Sequence, residues 1–132
     1  MSRKFNILIT GGAGFIGSSV IRLLIDETMH NVLNVDKLTY ASNLDSLKIY
    51  RNNTRYQFVQ GDGCNQQFIS QLFEKFQPDI VMHLAAESHV DRSIGGPGVF
   101  MKTNILGTYT LLEQSREYWT NLKGLKRDKF CF

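Results

Sequence analysis

The sequence predicts an α/β fold in which helices cover both faces of a doubly wound parallel sheet. Short apolar runs, typical of strands buried on both faces, alternate with segments that carry apolar residues at helical spacing. The first of these runs ends at a glycine-rich turn that opens a helix, as in a strand-helix-strand unit. No linker or internal repeat divides the 132 residues, so one domain over 1–132 is expected.

The apolar runs predict four strands, at residues 5–10, 31–36, 56–60 and 79–84. Helices are predicted from near Phe15, over 44–50, over 68–76 before Pro78, and over 99–120. Residues 128–132 look like the opening of a fifth strand. We therefore expect a sheet truncated after about four strands, which makes the domain incomplete.

Composition excludes several classes of protein. Apolar residues make up 42% of the chain and charged residues 20%, which describes an ordinary soluble domain rather than a disordered or membrane-embedded chain. The N-terminal apolar stretch enters glycines rather than a cleavage site, so secretion is not expected. Cys64 and Cys131 lie far apart without metal-ligand spacing, so we expect free thiols, a cytoplasmic location and no metal site.

A net charge of +3 comes largely from a basic C-terminal stretch, with Lys123, Lys126, Arg127 and Lys129. Such a stretch attracts nucleic acid when a recognition motif or interleaved aromatic residues accompany it. Neither is present, so a solvated surface is expected and nucleic acid is not an expected partner. No apolar run reaches the length of a bilayer span, so no membrane contact is expected either.

The stretch "ITGGAGFIG" spaces Gly11, Gly14 and Gly17 as G-x-x-G-x-x-G between a strand and a helix. Glycines at this point permit a tight turn, close approach of a pyrophosphate to the backbone, and packing of the helix on the strand. The helix that begins near Phe15 presents free N–H groups and its positive dipole end to phosphates. The motif predicts a Rossmann-type dinucleotide site, although glycine turns also form for steric reasons alone.

An acidic residue, Asp36, stands nineteen residues after Gly17 at the end of the second strand. A carboxylate there accepts hydrogen bonds from both adenosine ribose hydroxyls and repels a 2′-phosphate, which favours NAD over NADP. Lys37 weakens this preference, because a cation beside the ribose tolerates phosphate. The alternative is that Asp36 merely caps a turn.

Two more strand ends contribute candidates for the same site. Asp62 follows the third strand, where it suits either a contact with the adenine amino group or a plain turn. Leu84, Ala85 and Ala86 end the fourth strand with small residues, which suits a dinucleotide crossing the sheet edge or simple sheet packing. The polar loop 87–93 follows; Ser88 in it could donate to a sugar hydroxyl, and His89 has no visible catalytic partner.

Four stretches, "ITGGAGFIGSSVIR", "NVDKLTYASNLDSL", "MHLAAESHVDRSI" and "TNILGTYTLLE", resemble the extended short-chain dehydrogenase/reductase family. Within it they resemble the dTDP-glucose 4,6-dehydratases over nearly all of residues 5–119. The glycine motif marks only the superfamily, whereas "DKLTYASNL" with "AAESHVDRSI" is more specific. The related UDP-galactose 4-epimerases look different in the second of these loops.

The resemblance implies a set of NAD-binding positions. Phe15 and Ile16 would lie at the pyrophosphate with the glycines, and Thr103 would contact the cofactor from the long helix. The ribose would be surrounded by Asp36, Lys37, Leu38 and Thr39, the adenine by Asp62 and Gly63, and the nicotinamide side by Leu84, Ala85, Ala86, Glu87 and Ser88. Ser88 would also face the substrate sugar, and pairing through the long helix would give a homodimer.

The implied reaction converts dTDP-glucose to a 4-keto-6-deoxy sugar by oxidation at C4, elimination of water and return of hydride to C6. The family uses a Tyr-x-x-x-Lys pair and an Asp-Glu pair, and no Tyr-x-x-x-Lys occurs in these 132 residues. No catalytic residue is therefore assigned, and Gly63 departs from the apolar residue often found there. The sequence is interpreted as the NAD-binding portion of such an enzyme, inactive alone. The alternatives are a stand-alone dinucleotide-binding module and a UDP-galactose 4-epimerase-like relative.

Overall fold

A four-stranded parallel sheet forms the centre of the computed structural model, which describes residues 3–39, 42–87 and 94–132. The strands are β1 (Asn6–Thr10), β2 (Asn31–Asp36), β3 (Tyr56–Gln60) and β4 (Ile80–His83). Their order across the sheet is β3-β2-β1-β4, and every neighbouring pair is parallel. The predicted α/β class is confirmed, and each strand lies within one residue of its predicted bounds.

Helices connect the strands and cover the sheet. They are α1 (Phe15–Glu27), α2 (Gln66–Phe76), α3 (Pro97–Phe100), α4 (Thr108–Asn121) and α5 (Leu125–Lys129), with a 3₁₀ helix at Asp45–Tyr50 and a π-helical turn at Met101–Gly107. In the three described ranges, no helix has both the length and the apolar character that a bilayer span requires.

Two apolar cores lie on opposite faces of the sheet, because alternate residues of a strand point to opposite sides. On one face, Ile7 and Ile9 of β1 pack with Ile21 of α1. On the other face, Leu8 of β1 packs with Ile69 of α2 and with α4. Since β1 is buried on both faces, its continuous apolar sequence is explained by its central position.

The long helical segment agrees with the prediction in extent but not in regularity. The prediction of one helix over 99–120 becomes a continuous segment from Pro97 to Asn121, interrupted by the π-helical turn at Met101–Gly107. Wider turns of this kind occur mostly as short interruptions of α-helices, and they are frequent at functional sites. Here the turn brings Thr103 and Gly107 to the carboxyl ends of the strands.

The predicted fifth strand over 128–132 is wrong in most of its length. Residues 125–129 form α5, and one residue, Cys131, pairs in parallel with Ile80 of β4. The Val81 N–H donates to the Cys131 carbonyl at 2.8 Å, and the Cys131 N–H donates to the Asp79 carbonyl at 3.1 Å. The segment therefore lies where a fifth strand would lie, with a single bridge formed.

Candidate functional site

A cleft opens at the carboxyl ends of β1 and β4, where the connection from β1 runs to β2 on one side and the connection from β3 crosses to β4 on the other. This is the switch point at which ligands of open α/β sheets bind. The cleft contains about 760 Å³ of atom-free space, part of it open to solvent. Predicted residues that line it are Gly11, Gly14, Asp36, Lys37, Thr39, Asp62, Gly63, Leu84, Ala85, Ala86, Glu87 and Thr103.

The glycine turn is shaped by two very close backbone approaches. Gly11 has φ of +72°, and a Cβ on it would lie 2.6 Å from the Cα of Ala85, just beyond β4. A Cβ on Gly17 would collide with the Gly11 carbonyl oxygen and lie 2.8 Å from the Cα of Gly12. Gly11 thus permits the turn and the contact with β4, while Gly17 permits α1 to pack on the turn.

Gly14 differs from these two glycines because a Cβ there would have one close neighbour and no collision. A Cβ there would meet only the Gly11 carbonyl oxygen, at 3.3 Å. Gly14 is the N-cap of α1, it provides no side-chain cap, and the first turn of α1 has no acidic residue. The first N–H groups of a helix lack intrahelical partners and favour an anion, so this end of α1 is chemically suited to a phosphate.

The Asp36 carboxylate ties the glycine turn to the loop after β2. Its Oδ2 accepts a hydrogen bond from the Ala13 N–H at 2.9 Å, and its Oδ1 accepts from the Leu38 N–H at 2.7 Å and the Ser42 hydroxyl at 2.9 Å. An ionised carboxylate has about four acceptor positions, so the side chain can still accept from a ligand. Asp36 therefore caps a turn, as the alternative interpretation holds, and also lines the cleft.

Lys37 and Asp62 form an ion pair of 2.9 Å across the ends of β2 and β3. The hydrogen bond to Asp62 raises the pKa of Lys37 most strongly. Burial acts to raise the pKa of Asp62, but hydrogen bonds from the Cys64 N–H and from Lys37 outweigh it, so that pKa is lowered. The Lys37 ammonium is therefore paired with Asp62, so it is less available to neutralise the 2′-phosphate of NADP.

The end of β4 forms the opposite wall of the cleft. The Leu84 N–H donates to the Thr10 carbonyl at 3.1 Å, which carries the pairing with β1 one residue beyond β4. The Glu87 N–H donates to Asn104 Oδ1 at 2.8 Å, and Asn104 Nδ2 donates to the Glu87 carbonyl at 3.0 Å. The strand end is thus fastened to the π-helical turn that carries Thr103.

Some predicted residues lie elsewhere. Phe15 and Ile16 begin α1, are 91% and 67% exposed, and are not among the residues that line the cleft. Leu38 has φ of +59° and contributes its N–H to Asp36 rather than its side chain to the cleft. Ser88, predicted to face both cofactor and sugar, lies outside the described residues, as does His89.

The sequence interpretation missed part of the lining: Thr10, Val35, Gly61, Cys64, His83, Gly107 and Leu111. Two of them could have been found once β1 and β4 were paired, because Thr10 and His83 face each other at the carboxyl ends of these strands. His83 is half-buried, and burial lowers the pKa of its imidazole. In the described part of the chain, no three His, Cys, Asp or Glu side chains are grouped closely enough to hold a metal ion.

The fold and the cleft define a Rossmann-type α/β protein. The family model described as GDP-mannose 4,6 dehydratase matches residues 8–131, and the chain belongs to that family. The dTDP-glucose 4,6-dehydratase of Salmonella typhimurium is 57% identical over 126 residues, which are 96% of this chain and 35% of that protein. The chain thus spans about a third of the length of the curated relatives it matches.

Solved structures give the same grouping. A dTDP-glucose 4,6-dehydratase from Bacillus anthracis, determined in complex with NAD, is similar over 87% of this chain and 34% of its own, with 36% identity and a TM-score of 0.74. A UDP-glucose 4-epimerase from Thermotoga maritima, determined with UDP-glucose, is similar over 88% of this chain and 35% of its own. Its identity is 35% and its TM-score 0.76.

Proposed function

We propose that this chain is the NAD-binding portion of a dTDP-glucose 4,6-dehydratase, the enzyme that forms a 4-keto-6-deoxy sugar from dTDP-glucose. The observation that carries the proposal is the phosphate end of the cleft. There the backbone of the glycine turn lies so close to the backbone just beyond β4 that a Cβ on Gly11 would not fit. The turn leads into α1, which has no side-chain cap and no acidic residue in its first turn. Such an end suits the pyrophosphate of a dinucleotide.

The preference for NAD over NADP follows from the charges near the predicted ribose position. Asp36 lines the cleft with a carboxylate, which accepts hydrogen bonds from hydroxyls and repels a phosphate. Lys37 is the cation that could neutralise a 2′-phosphate, and it is held at 2.9 Å by Asp62. The concern that Lys37 tolerates phosphate is thereby reduced, and NAD is the cofactor we propose.

When bound, NAD supplies a hydride acceptor at its nicotinamide ring. The residues of this chain would bind and orient it: Leu84, Ala85 and Ala86 at the nicotinamide side, Asp36 at the ribose, and the backbone of α1 at the pyrophosphate. No Tyr-x-x-x-Lys occurs in the 132 residues. We therefore propose that the acid-base groups lie outside them and that this chain binds the cofactor without turnover.

The dehydratase is preferred to the epimerase-like alternative because curated dehydratases are 54–57% identical to this chain. In the structural comparison, the solved dehydratases named in complex with NAD are 36–41% identical and the solved UDP-glucose 4-epimerases 29–35%. In the described part of the chain both cysteines are free thiols, which agrees with a reducing compartment such as the cytoplasm.

The stand-alone dinucleotide module remains the second candidate, and it differs in needing no sugar substrate.

We also propose that the long helical segment pairs with a second copy of the protein. Apolar side chains at successive helical positions are exposed there, among them Ile105 at 56% and Tyr109 at 61%. Apolar residues three and four positions apart line one face of a helix, and such a face is typical of an interface between subunits. The proposal follows the homodimer that the family resemblance implies.

The proposed function is tested by calorimetric titration of the 132-residue chain with NAD and with NADP, together with an assay for 4-keto-6-deoxy sugar from dTDP-glucose. We expect NAD to bind, NADP to bind at least about ten-fold more weakly because of charge repulsion, and no product to form. Absence of NAD binding would contradict the cofactor assignment. Product formation would contradict the assignment of the acid-base groups to residues outside this chain.

A matched pair of variants sharpens the titration. Asp36→Asn removes the cleft carboxylate and should lower the ratio of NAD affinity to NADP affinity, because the repulsion of the 2′-phosphate is lost. Asp45→Asn removes an exposed carboxylate on the 3₁₀ helix, outside the cleft, and should leave the ratio unchanged. Circular dichroism checks that Asp36→Asn still folds. If the two variants show the same ratio of NAD affinity to NADP affinity, Asp36 is not the group that selects NAD.

A further inference from the structure

His83 is the last residue of β4 and contacts two other elements at once. Its Nδ1 lies 2.6 Å from the hydroxyl of Thr10 at the end of β1, and its Nε2 lies 2.9 Å from the hydroxyl of Thr108 at the start of α4. Neither the glycine motif nor the positions implied by the family resemblance include this histidine. Its two contacts join the strand that carries the glycine turn to the helical segment across the cleft.

The hydrogen-bond partners determine which ring nitrogen carries the proton. The Thr108 hydroxyl donates its only proton to the Asn104 carbonyl at 2.8 Å, so it can only accept from His83 Nε2. Burial lowers the pKa of His83, so the ring is neutral near pH 7.5 and Nδ1 has no proton. Nδ1 then accepts from the Thr10 hydroxyl. Every hydrogen bond in the series has a defined direction.

The series continues to the backbone that follows β4, the strand that ends with His83 itself. The side chain of Asn104 is paired twice with the backbone of Glu87, at 2.8 and 3.0 Å. Hydrogen bonds thus run from β1 through His83 and Thr108 to the π-helical turn and back to the residue that follows Ala86. The cleft wall formed by Thr103 and Ala86 is held at both of its ends.

We propose that His83, as the neutral Nε2–H tautomer, is a positioning residue that fixes the helical wall of the cleft to the end of β1. The inference rests on the proposed NAD-binding function of the cleft. His83 does not touch a reacting group in this role. It acts by holding Thr108, and through it the turn that carries Thr103, at the distance from the glycine turn that the dinucleotide requires.

The test uses Thr108→Val, which keeps the shape of the side chain and removes the hydroxyl. Thr120→Val is a matched control, because the Thr120 hydroxyl donates to the carbonyl of Arg116 at 2.8 Å on the same helix but is exposed and outside the cleft. We expect Thr108→Val to weaken NAD binding about five-fold, the size of one neutral hydrogen bond, and Thr120→Val to leave it unchanged. Equal affinities for the two variants overturn the proposal.

His83→Asn completes a double-mutant cycle. Asparagine keeps an acceptor near Thr10 but does not reach Thr108, so the double variant with Thr108→Val should bind NAD no more weakly than His83→Asn alone. Additive losses of affinity would show that the two residues act separately, which overturns the proposal. Circular dichroism of each variant confirms that the fold is retained.

The tautomer gives a readout that is independent of NAD. Long-range ¹H–¹⁵N spectra of histidine-labelled protein at pH 7.5 should show His83 with its proton on Nε2, and a proton on Nδ1 would overturn the assignment. If the wild-type chain shows this tautomer but binds no NAD, the proposed function of the cleft fails and the cofactor role of His83 fails with it. Its hydrogen bonding then stands, so the two failures are distinguishable.

Discussion

The glycines of the cleft act through backbone geometry, and they do so to very different degrees. Gly11 combines a positive φ with a neighbouring backbone that leaves no room for a Cβ. Gly63, in the same cleft, has nothing within 4 Å of the position that a Cβ would occupy. The first glycine is required by the turn. The second is not required by packing, because a side chain there would extend into open space.

This difference predicts opposite outcomes for the same substitution. Gly11→Ala should lower the free energy of unfolding by about 2–5 kcal/mol, because it adds backbone strain at φ of +72° and a collision with Ala85. Gly63→Ala should leave the free energy of unfolding unchanged or raise it by up to about 1 kcal/mol, because it restricts the unfolded chain. Urea unfolding followed by circular dichroism measures both. Similar losses in the two variants would contradict the assignment of distinct roles.

The N-termini of α1 and α2 differ in a way that separates folding from binding. The N-cap of α2 is Asn65, whose side chain accepts a hydrogen bond from the Phe68 N–H at 3.0 Å and satisfies one free donor. The N-cap of α1 is Gly14, which has no side chain to do the same. A helix end left uncapped beside a cleft keeps its N–H groups available for a ligand, at some cost in helix stability.

Gly14→Asp tests this at the level of the helix. The N-cap backbone at φ of −77° suits aspartate, and the gain from capping is offset by the 3.3 Å approach of its Cβ to the Gly11 carbonyl oxygen, so the free energy of unfolding should change by no more than about 1 kcal/mol. NAD affinity should fall at least about ten-fold, because the new carboxylate occupies the phosphate position and repels the pyrophosphate. Asn65→Asp adds the same charge at the N-cap of α2, outside the cleft, and should not change NAD affinity. If Gly14→Asp also leaves the affinity unchanged, the phosphate position is elsewhere.

The elements that departed from the sequence prediction are those that depend on neighbours. The apolar pattern of residues 128–132 is that of a strand, yet only Cys131 pairs with β4. Residues 125–129, three of them basic, instead form the exposed helix α5. The Trp119 indole N–H of α4 donates to the Arg127 carbonyl of α5 at 3.1 Å. The π-helical turn in the long helix was not predicted. It is short, and the apolar residues on either side of it keep the three- and four-residue spacing of an ordinary helix.

At the scale of the whole molecule, the sheet order creates the cleft and leaves one helical face uncovered. Packing of α2 and α4 on one side and α1 on the other buries both faces of β1. The outer side of the long helical segment is exposed and apolar, with Ile105, Tyr109 and Leu112 at helical spacing. Exposed apolar faces of this kind are typical of subunit contacts.

The homodimer is tested by light scattering after size-exclusion chromatography over a range of protein concentrations. We expect the chain to dimerise and Tyr109→Glu to raise the dimer dissociation constant at least about ten-fold, because it places a charge in the apolar contact. Leu23→Glu changes a similarly exposed apolar residue on α1, at 60% exposure, and should leave the dissociation constant unchanged. A chain that is monomeric at every concentration would contradict the proposed pairing.

The sequence by itself determined the features that are encoded within a short span of chain. Apolar periods gave the strands and most helices, and the spacing from Gly11 to Asp36 gave the glycine turn and the acid that faces it. Local backbone preferences and burial patterns act over a few residues, so they can be read in order along the chain. Most predicted site residues stand at strand ends, which local patterns identify. They line one cleft because the carboxyl ends of parallel strands share an edge of the sheet.

Only the tertiary structure decided which side chains meet across that edge. The contacts of His83 with Thr10 and Thr108 join residues 73 and 25 positions apart, and Lys37 meets Asp62 across 25 positions. No local pattern records such pairs, because each depends on strand order and register. For the same reason the sequence could place Asp36 as an acid at the end of β2, but could not show that its carboxylate accepts hydrogen bonds from the Ala13 N–H and the Ser42 hydroxyl.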